Sequence, residues 1–186
     1  MPSSSNYARY RNAAQIINAL RPEVPTYCLA PHQVTANAKS MVSLFPGEVA
    51  YAVKCNGHPV MLEALVAGGI SSFDVASVPE MDLARAARPD AALHFMHPIK
   101  TEEAIRQASA DHAVRSFAVD HQDEMVKVLD AVSCPVEELT LMVRLSTEGG
   151  DQAATYDLSA KFGAQPDRAV ALLQDIERAG AKAGLC

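Results

Sequence analysis

Tyr51-Ala52-Val53-Lys54-Cys55-Asn56 reads as an apolar strand that closes on a lysine. A lysine at the mouth of a buried strand is where an enzyme places an amine that must form a Schiff base. The same hexapeptide also fits a strand-ending lysine whose ammonium reaches water over its apolar stem. The segments on either side decide between the two.

Downstream, strand-length apolar runs alternate with helix-like segments. The strands are expected at Val49–Val53, Ser72–Ala76, Ala92–Met96, Ser116–Val119 and Leu139–Leu145, and Gly184-Leu185-Cys186 opens a sixth. Between them the pattern predicts helices over Pro59–Ala67, Pro79–Ala87, Glu102–Ala110, Gln122–Val132 and Asp167–Ala179. Upstream, Tyr7–Leu20 has an amphipathic helical pattern closed by Pro22 and Pro25, Thr26–Ala30 is a short extended run, and Val34–Phe45 is helical up to the stop signal Pro46-Gly47. These boundaries predict a helical leader over residues 1–24 and one barrel-like domain over residues 25–186.

Local chemistry supports the helix starts. Ser77-Val78-Pro79-Glu80 fits a capping box, Thr101 is a candidate N-cap ahead of Glu102 and Glu103, and Asp120 is placed to cap the helix beginning near His121. Gly68-Gly69 follows a helix and reads as its C-cap, and no G-x-G-x-x-G or P-loop motif follows any strand. Apolar strands without in/out alternation are expected to be buried on both faces, as in a parallel sheet covered by helices. A doubly wound sheet and a (β/α)8 barrel both fit that pattern. Polar residues stand at one strand end after another, Lys54, Asp74, His97, Asp120 and Arg144, at intervals of about 20 to 24 residues. A barrel gathers such ends on one face, where barrel enzymes carry their chemistry, so the barrel is the preferred architecture.

Bulk composition narrows the classes further. The chain has 186 residues with a net charge of −6, which provides no basic footprint for nucleic acid and no polybasic patch for a membrane. No apolar run approaches the roughly 18 residues of a membrane span, and Met1-Pro2-Ser3-Ser4-Ser5-Asn6 lacks the charged and apolar regions of a secretory signal. Cys28, Cys55, Cys134 and Cys186 are scattered without a C-x-x-C pair, which disfavours zinc or a disulfide framework and predicts a reduced, cytoplasmic protein.

Five segments in order resemble a known family: Tyr51-Ala52-Val53-Lys54-Cys55-Asn56, Phe73-Asp74-Val75-Ala76-Ser77-x-x-Glu80, His97-Pro98-x-Lys100, Val143-Arg144-Leu145-Ser146 and Leu158-Ser159-x-Lys161-Phe162-Gly163. Together they resemble the barrel domain of the fold-type III pyridoxal-phosphate-dependent ornithine/diaminopimelate/arginine decarboxylases, closest to the ornithine decarboxylase-like members. The resemblance runs from about Pro25 to Cys186. It implies an alanine racemase-like (β/α)8 TIM barrel, here partial, without the last strands and the C-terminal β domain. It further implies that Lys54 is the lysine joined covalently to pyridoxal 5'-phosphate, that Ala52 lies against the cofactor, and that Asp74 and Arg144 flank it at neighbouring strand ends, where they could pair with each other. Lys161 is implied to lie toward the interface of a homodimer. Burial beside Arg144 would lower the affinity of Lys54 for its proton, and Asp74 would oppose that.

The implied function is decarboxylation of a basic amino acid, ornithine-like, to a diamine used in polyamine synthesis, with weak or no activity for these 186 residues alone. The alternative is a non-catalytic fragment or pseudoenzyme that binds a full-length relative. A racemase of the same fold type is disfavoured by the His-Pro-x-Lys and Ser-x-Lys-Phe-Gly segments. His32, His58, His94, His112 and His121 have no metal-ligand spacing, Met125 is expected in the core, Glu137-Glu138 in a solvated loop, and Cys186 is given no catalytic role.

Overall fold

Most strands of the computed structural model, which describes residues 7–146 and 161–186, alternate apolar with small or polar side chains, β5 with Met142 being the exception. The strands are β1 (Ala50–Ala52), β2 (Ser72–Val75), β3 (Ala92–Phe95), β4 (Ser116–Val119), β5 (Thr140–Val143) and β6 (Lys182–Leu185). The helices are α1 (Ala13–Leu20) and α2 (Pro31–Leu44), then α3 (Pro59–Ala67), α4 (Val78–Ala87), α5 (Glu102–Ala110), α6 (Gln122–Ala131) and α7 (Pro166–Arg178) between successive strands. Short 3-10 turns stand at Val53–Cys55 and Val136–Glu138.

All neighbouring strands are parallel and follow the order β1-β2-β3-β4-β5-β6. A doubly wound sheet reverses its strand order at a switch point. This sheet has no reversal, and right-handed crossovers of constant sense put every crossover helix on one side. The architecture is therefore the partial barrel, and the doubly wound alternative falls.

The register sorts the side chains into rows. Val75, Phe95, Phe117, Leu141 and Ala183 lie side by side across the sheet. Of these, Val75, Phe95, Phe117 and Leu141 are buried with Phe73, Leu93, Val119 and Val143 against helix residues such as Leu62, Met81, Ile105, Val128 and Ile176. The next row, Ala52, Asp74, His94, Ser116, Thr140 and Lys182, belongs to the opposite face. None of its members joins the apolar core. This corrects the expectation of strands buried apolar on both faces. One face is sealed by helices, and the other is the inward side of the barrel, lined by small and polar groups together with Met142 against Gly184.

Several boundaries also move. α1 starts at Ala13 rather than near Tyr7, because the Asn12 side chain accepts from Gln15 N at 2.9 Å and caps it there. Thr101 caps α5 as expected, its Oγ1 accepting from Ala104 N at 3.2 Å. Ser77 makes no side-chain cap, and Glu80 reaches past it to accept from Ala76 N at 2.8 Å, so the expected capping box does not form. His121, not Asp120, caps α6 through its ring nitrogen. Gly68 closes α3, and Gly69 takes the left-handed conformation (φ 100°) that follows it.

A buried ion pair crosses the tops of β3 and β4. The Lys100 ammonium, fully buried, donates to the carbonyls of His97 (3.0 Å) and Ala118 (2.6 Å) and lies 2.9 Å from Glu124 of α6. Glu124 also accepts from Lys100 N at 3.0 Å and pairs with Lys127. Burial pushes the Lys100 ammonium down from its usual range, with Glu124 pulling the other way.

Two outcomes follow for stability. In urea titrations, Phe117→Ala should cost about 3–5 kcal/mol, whereas Ser116→Ala, one residue earlier on the inward face, should cost under about 1 kcal/mol. A lysine whose proton is held less tightly when folded leaves the unfolded chain binding more protons between the two titrations. Stability should therefore gain from Lys100 as pH rises through its lowered value toward 10.5. The Lys100→Met variant should lack that alkaline gain; an unchanged stability-versus-pH curve would contradict the depressed titration.

Candidate active site

β1 stops at Ala52, and the chain turns through Val53–Cys55. Val53 is buried and anchors this turn, leaving Lys54 free to project at the carboxyl end of the sheet. The Lys54 side chain is 62% exposed, and its Nζ lies 3.5 Å from Oδ2 of Asp74, itself 24% exposed. Asp74 stands directly beside Ala52 in the register, so Lys54, Ala52 and Asp74 occupy two neighbouring strand ends. The loop beyond is ordered by its own hydrogen bonds. Tyr51 Oη donates to the Asn56 carbonyl at 3.3 Å, and Asn56 Oδ1 accepts from His58 N at 3.0 Å. His58 caps α3 and meets the Tyr7 hydroxyl at 3.2 Å, tying the leader to the loop after Lys54.

Arg144 follows β5 and lies across the sheet from this pair. Its backbone N donates to Val119 O at 2.8 Å and its carbonyl accepts from Ala164 N at 2.8 Å. Its guanidinium lies over the Phe162 ring, 5.6 Å from the centroid. The other neighbour of Phe162 is His97, in a T-shaped contact at 5.7 Å. Cys186 bonds Val143 O and Leu145 N through its backbone, which sets it directly opposite Arg144. Desolvation pushes its thiol up; Arg144 opposes that shift and Asp74 adds to it.

Two expectations about this site change. Asp74 pairs with Lys54 rather than with Arg144. Lys54 is exposed rather than buried, and the buried lysine of this region is Lys100. Asp120, read as a helix cap, instead uses Oδ2 to accept from Gly163 N at 2.9 Å. Gly163 sits at φ 106°, and a Cβ there would come within 2.7 Å of Ser146 N, so the close approach of these loops requires glycine. Lys161 is exposed, and the Leu158-Ser159 part of its motif lies outside the described residues.

Sequence reasoning missed Phe162 as a partner of Arg144, and Lys100 with Glu124 as a clasp. Both Lys100 and Phe162 lay within quoted motifs, but the side chains they meet, Glu124 and Arg144, are 24 and 18 positions away. It also missed Ser72 and His94, which hydrogen-bond at 2.8 Å on the inward face, with Glu48 4.0 Å from the same ring nitrogen. The signal for that pair was available as the period-2 alternation Ser72-Phe73-Asp74-Val75 beside Ala92-Leu93-His94-Phe95.

Residues 32–181 match the family described as pyridoxal-dependent decarboxylase, pyridoxal binding domain. A lysine/ornithine decarboxylase of Selenomonas ruminantium is 32% identical over 182 residues, covering 95% of this chain and 44% of that protein. Among solved structures, lysine decarboxylase from Selenomonas ruminantium superposes with a TM-score of 0.76 at 28% identity, covering 96% of this chain and 46% of the other. Lysine/ornithine decarboxylase from Vibrio vulnificus, complexed with putrescine, superposes at 0.74 with 26% identity, covering 94% and 45%. The chain thus spans less than half the length of these relatives. With its parallel partial barrel and its matched pyridoxal-binding segment, the chain belongs to the pyridoxal-dependent decarboxylase family.

Proposed function

We propose that these residues form the cofactor-holding part of a pyridoxal-phosphate-dependent decarboxylase acting on a basic amino acid, ornithine-like, to release a diamine. The observation that carries it is the Lys54–Asp74 pair at adjacent strand ends of a pyridoxal-binding domain. The donor set fits the cofactor: an accessible amine at Lys54, a methyl-sized side chain at Ala52 beside it, a carboxylate at Asp74 and a guanidinium at Arg144. When bound, pyridoxal phosphate supplies an aldehyde for an amine to attack and a ring that takes up the electron pair left by departing carbon dioxide.

The chain's own groups have separable tasks in this proposal. Lys54 presents the amine that attaches the cofactor. Asp74 Oδ2 accepts from Lys54 Nζ, holding the ammonium at the mouth of the sheet until the cofactor replaces that contact. Ala52 leaves room beside the lysine. Arg144 supplies positive charge toward an anionic ligand, while Asp74 is paired with Lys54. The substrate class is supported by the names of the relatives, lysine/ornithine decarboxylases, one solved with putrescine. A homodimer with Lys161 toward its interface is part of the same proposal.

Incubation with pyridoxal phosphate, borohydride reduction and peptide mass mapping tests it. A near-stoichiometric phosphopyridoxyl adduct confined to Lys54 is expected, absent in Lys54→Arg. Arg144→Gln should raise the concentration needed for half-labelling by about tenfold, as expected for losing one charge-assisted contact to an anion. Scattered or absent labelling would overturn the proposal in favour of a chain that works by binding a relative.

A further inference from the structure

Arg144 is a long side chain at a strand end, and such a side chain has many rotamers unless something holds it. Here the backbone of Arg144 and the segment carrying Phe162 are parts of one structure. The Arg144 carbonyl accepts from Ala164 N, Ser146 N donates to Ala164 O at 2.8 Å, and Asp120 holds Gly163 N between them. The left-handed turn at Gly163 fixes the direction in which Phe162 leaves this bridge. His97 also meets the Phe162 ring, in a T-shaped contact with 5.7 Å between centroids. His97 is held in turn, because its carbonyl is one of the acceptors of the buried Lys100 ammonium and its Nδ1 lies 2.7 Å from Ile99 O.

We propose that Phe162 is a positioning residue: its ring, braced by His97 and the Lys100 clasp, holds the Arg144 guanidinium toward the Asp74–Lys54 end of the site. The face of an aromatic ring attracts a cation within about 6 Å, and Arg144 lies within that range. The proposal rests on the cofactor-holding role of Arg144 for its purpose, but its geometry can be tested without the cofactor. Cys186, opposite Arg144, is the reporter, because Arg144 favours its thiolate while Asp74 disfavours it.

The experiment measures the pH dependence of iodoacetamide alkylation, resolved at the Cys186 peptide, in the chain without added cofactor. Phe162→Leu should shift the Cys186 profile to higher pH and slow alkylation at neutral pH by about twofold, the size expected for partial loss of one cation–ring contact. Phe162→Tyr, which keeps the ring, should restore the parent profile, and Arg144→Gln sets the full extent of the shift. Phe162→Met provides a second ring-less variant if Phe162→Leu loses its fold by circular dichroism. A ring-less, folded variant that titrates like the parent overturns the proposal, whether or not Arg144→Gln shifts the profile. Parallel borohydride trapping with pyridoxal phosphate separates the two levels. A parent that is not labelled at Lys54 while the Cys186 shifts hold defeats the cofactor reading alone. A labelled parent with no Cys186 shift in the ring-less variants defeats the positioning role alone.

Discussion

Everything in this structure depends on the separation of the sheet into two faces by the strict alternation of parallel strands. Apolar rows through Phe73, Phe95, Phe117 and Leu141 are sealed by the crossover helices, which supplies the burial that holds the strands in register. Because register has a period of two, that burial also determines what points inward. A slip of one residue would move Asp74 and His94 into the helix layer and expose Phe73 and Leu93. The chemistry of the inner face is therefore kept in place by packing on the outer one.

On this base the loops at the carboxyl ends are held by polar contacts rather than by apolar mass. Lys100 draws together the β3 end, β4 and α6 with one buried ammonium, at the cost of desolvation that shows in its lowered affinity for a proton. Such a pair costs more to break on one side than it adds as a whole, so it acts as a geometric constraint more than as a source of stability. The bridge between Leu145 and Ala164 does the same for the loop that carries Phe162. The exposed pair of Lys54 and Asp74 contributes little to folding by comparison, as expected for groups available to a ligand.

The fold class was legible because helices and strands differ in period and their ends have local chemistry. α3 and α5 match their expected spans residue for residue, since Pro59 and Thr101 mark their first turns and Gly68 and Asp111 close them. The site was legible only as a set of strand ends. Lys54 and Asp74 do meet, but Asp74 chooses Lys54 over Arg144, a choice that depends on the stagger between strands rather than on any residue type. The expectation of strands buried on both faces failed because hydrophobicity was read as a run, where Ser72-Phe73-Asp74-Val75 carries an alternation.

By itself the sequence determined the order of elements, the Thr101 cap of α5, the Gly68 stop of α3, the lysine just past β1 and the family the chain belongs to, because these depend on contacts within a few residues or on motifs that stand in line. Only the tertiary structure decided which face of the sheet is sealed, which partner Asp74 takes, that Asp120 holds Gly163, and that Phe162 lies between His97 and Arg144. Those pairs join residues up to 65 positions apart. Nothing in their local spacing brings them together; the curvature and stagger of the parallel strands do.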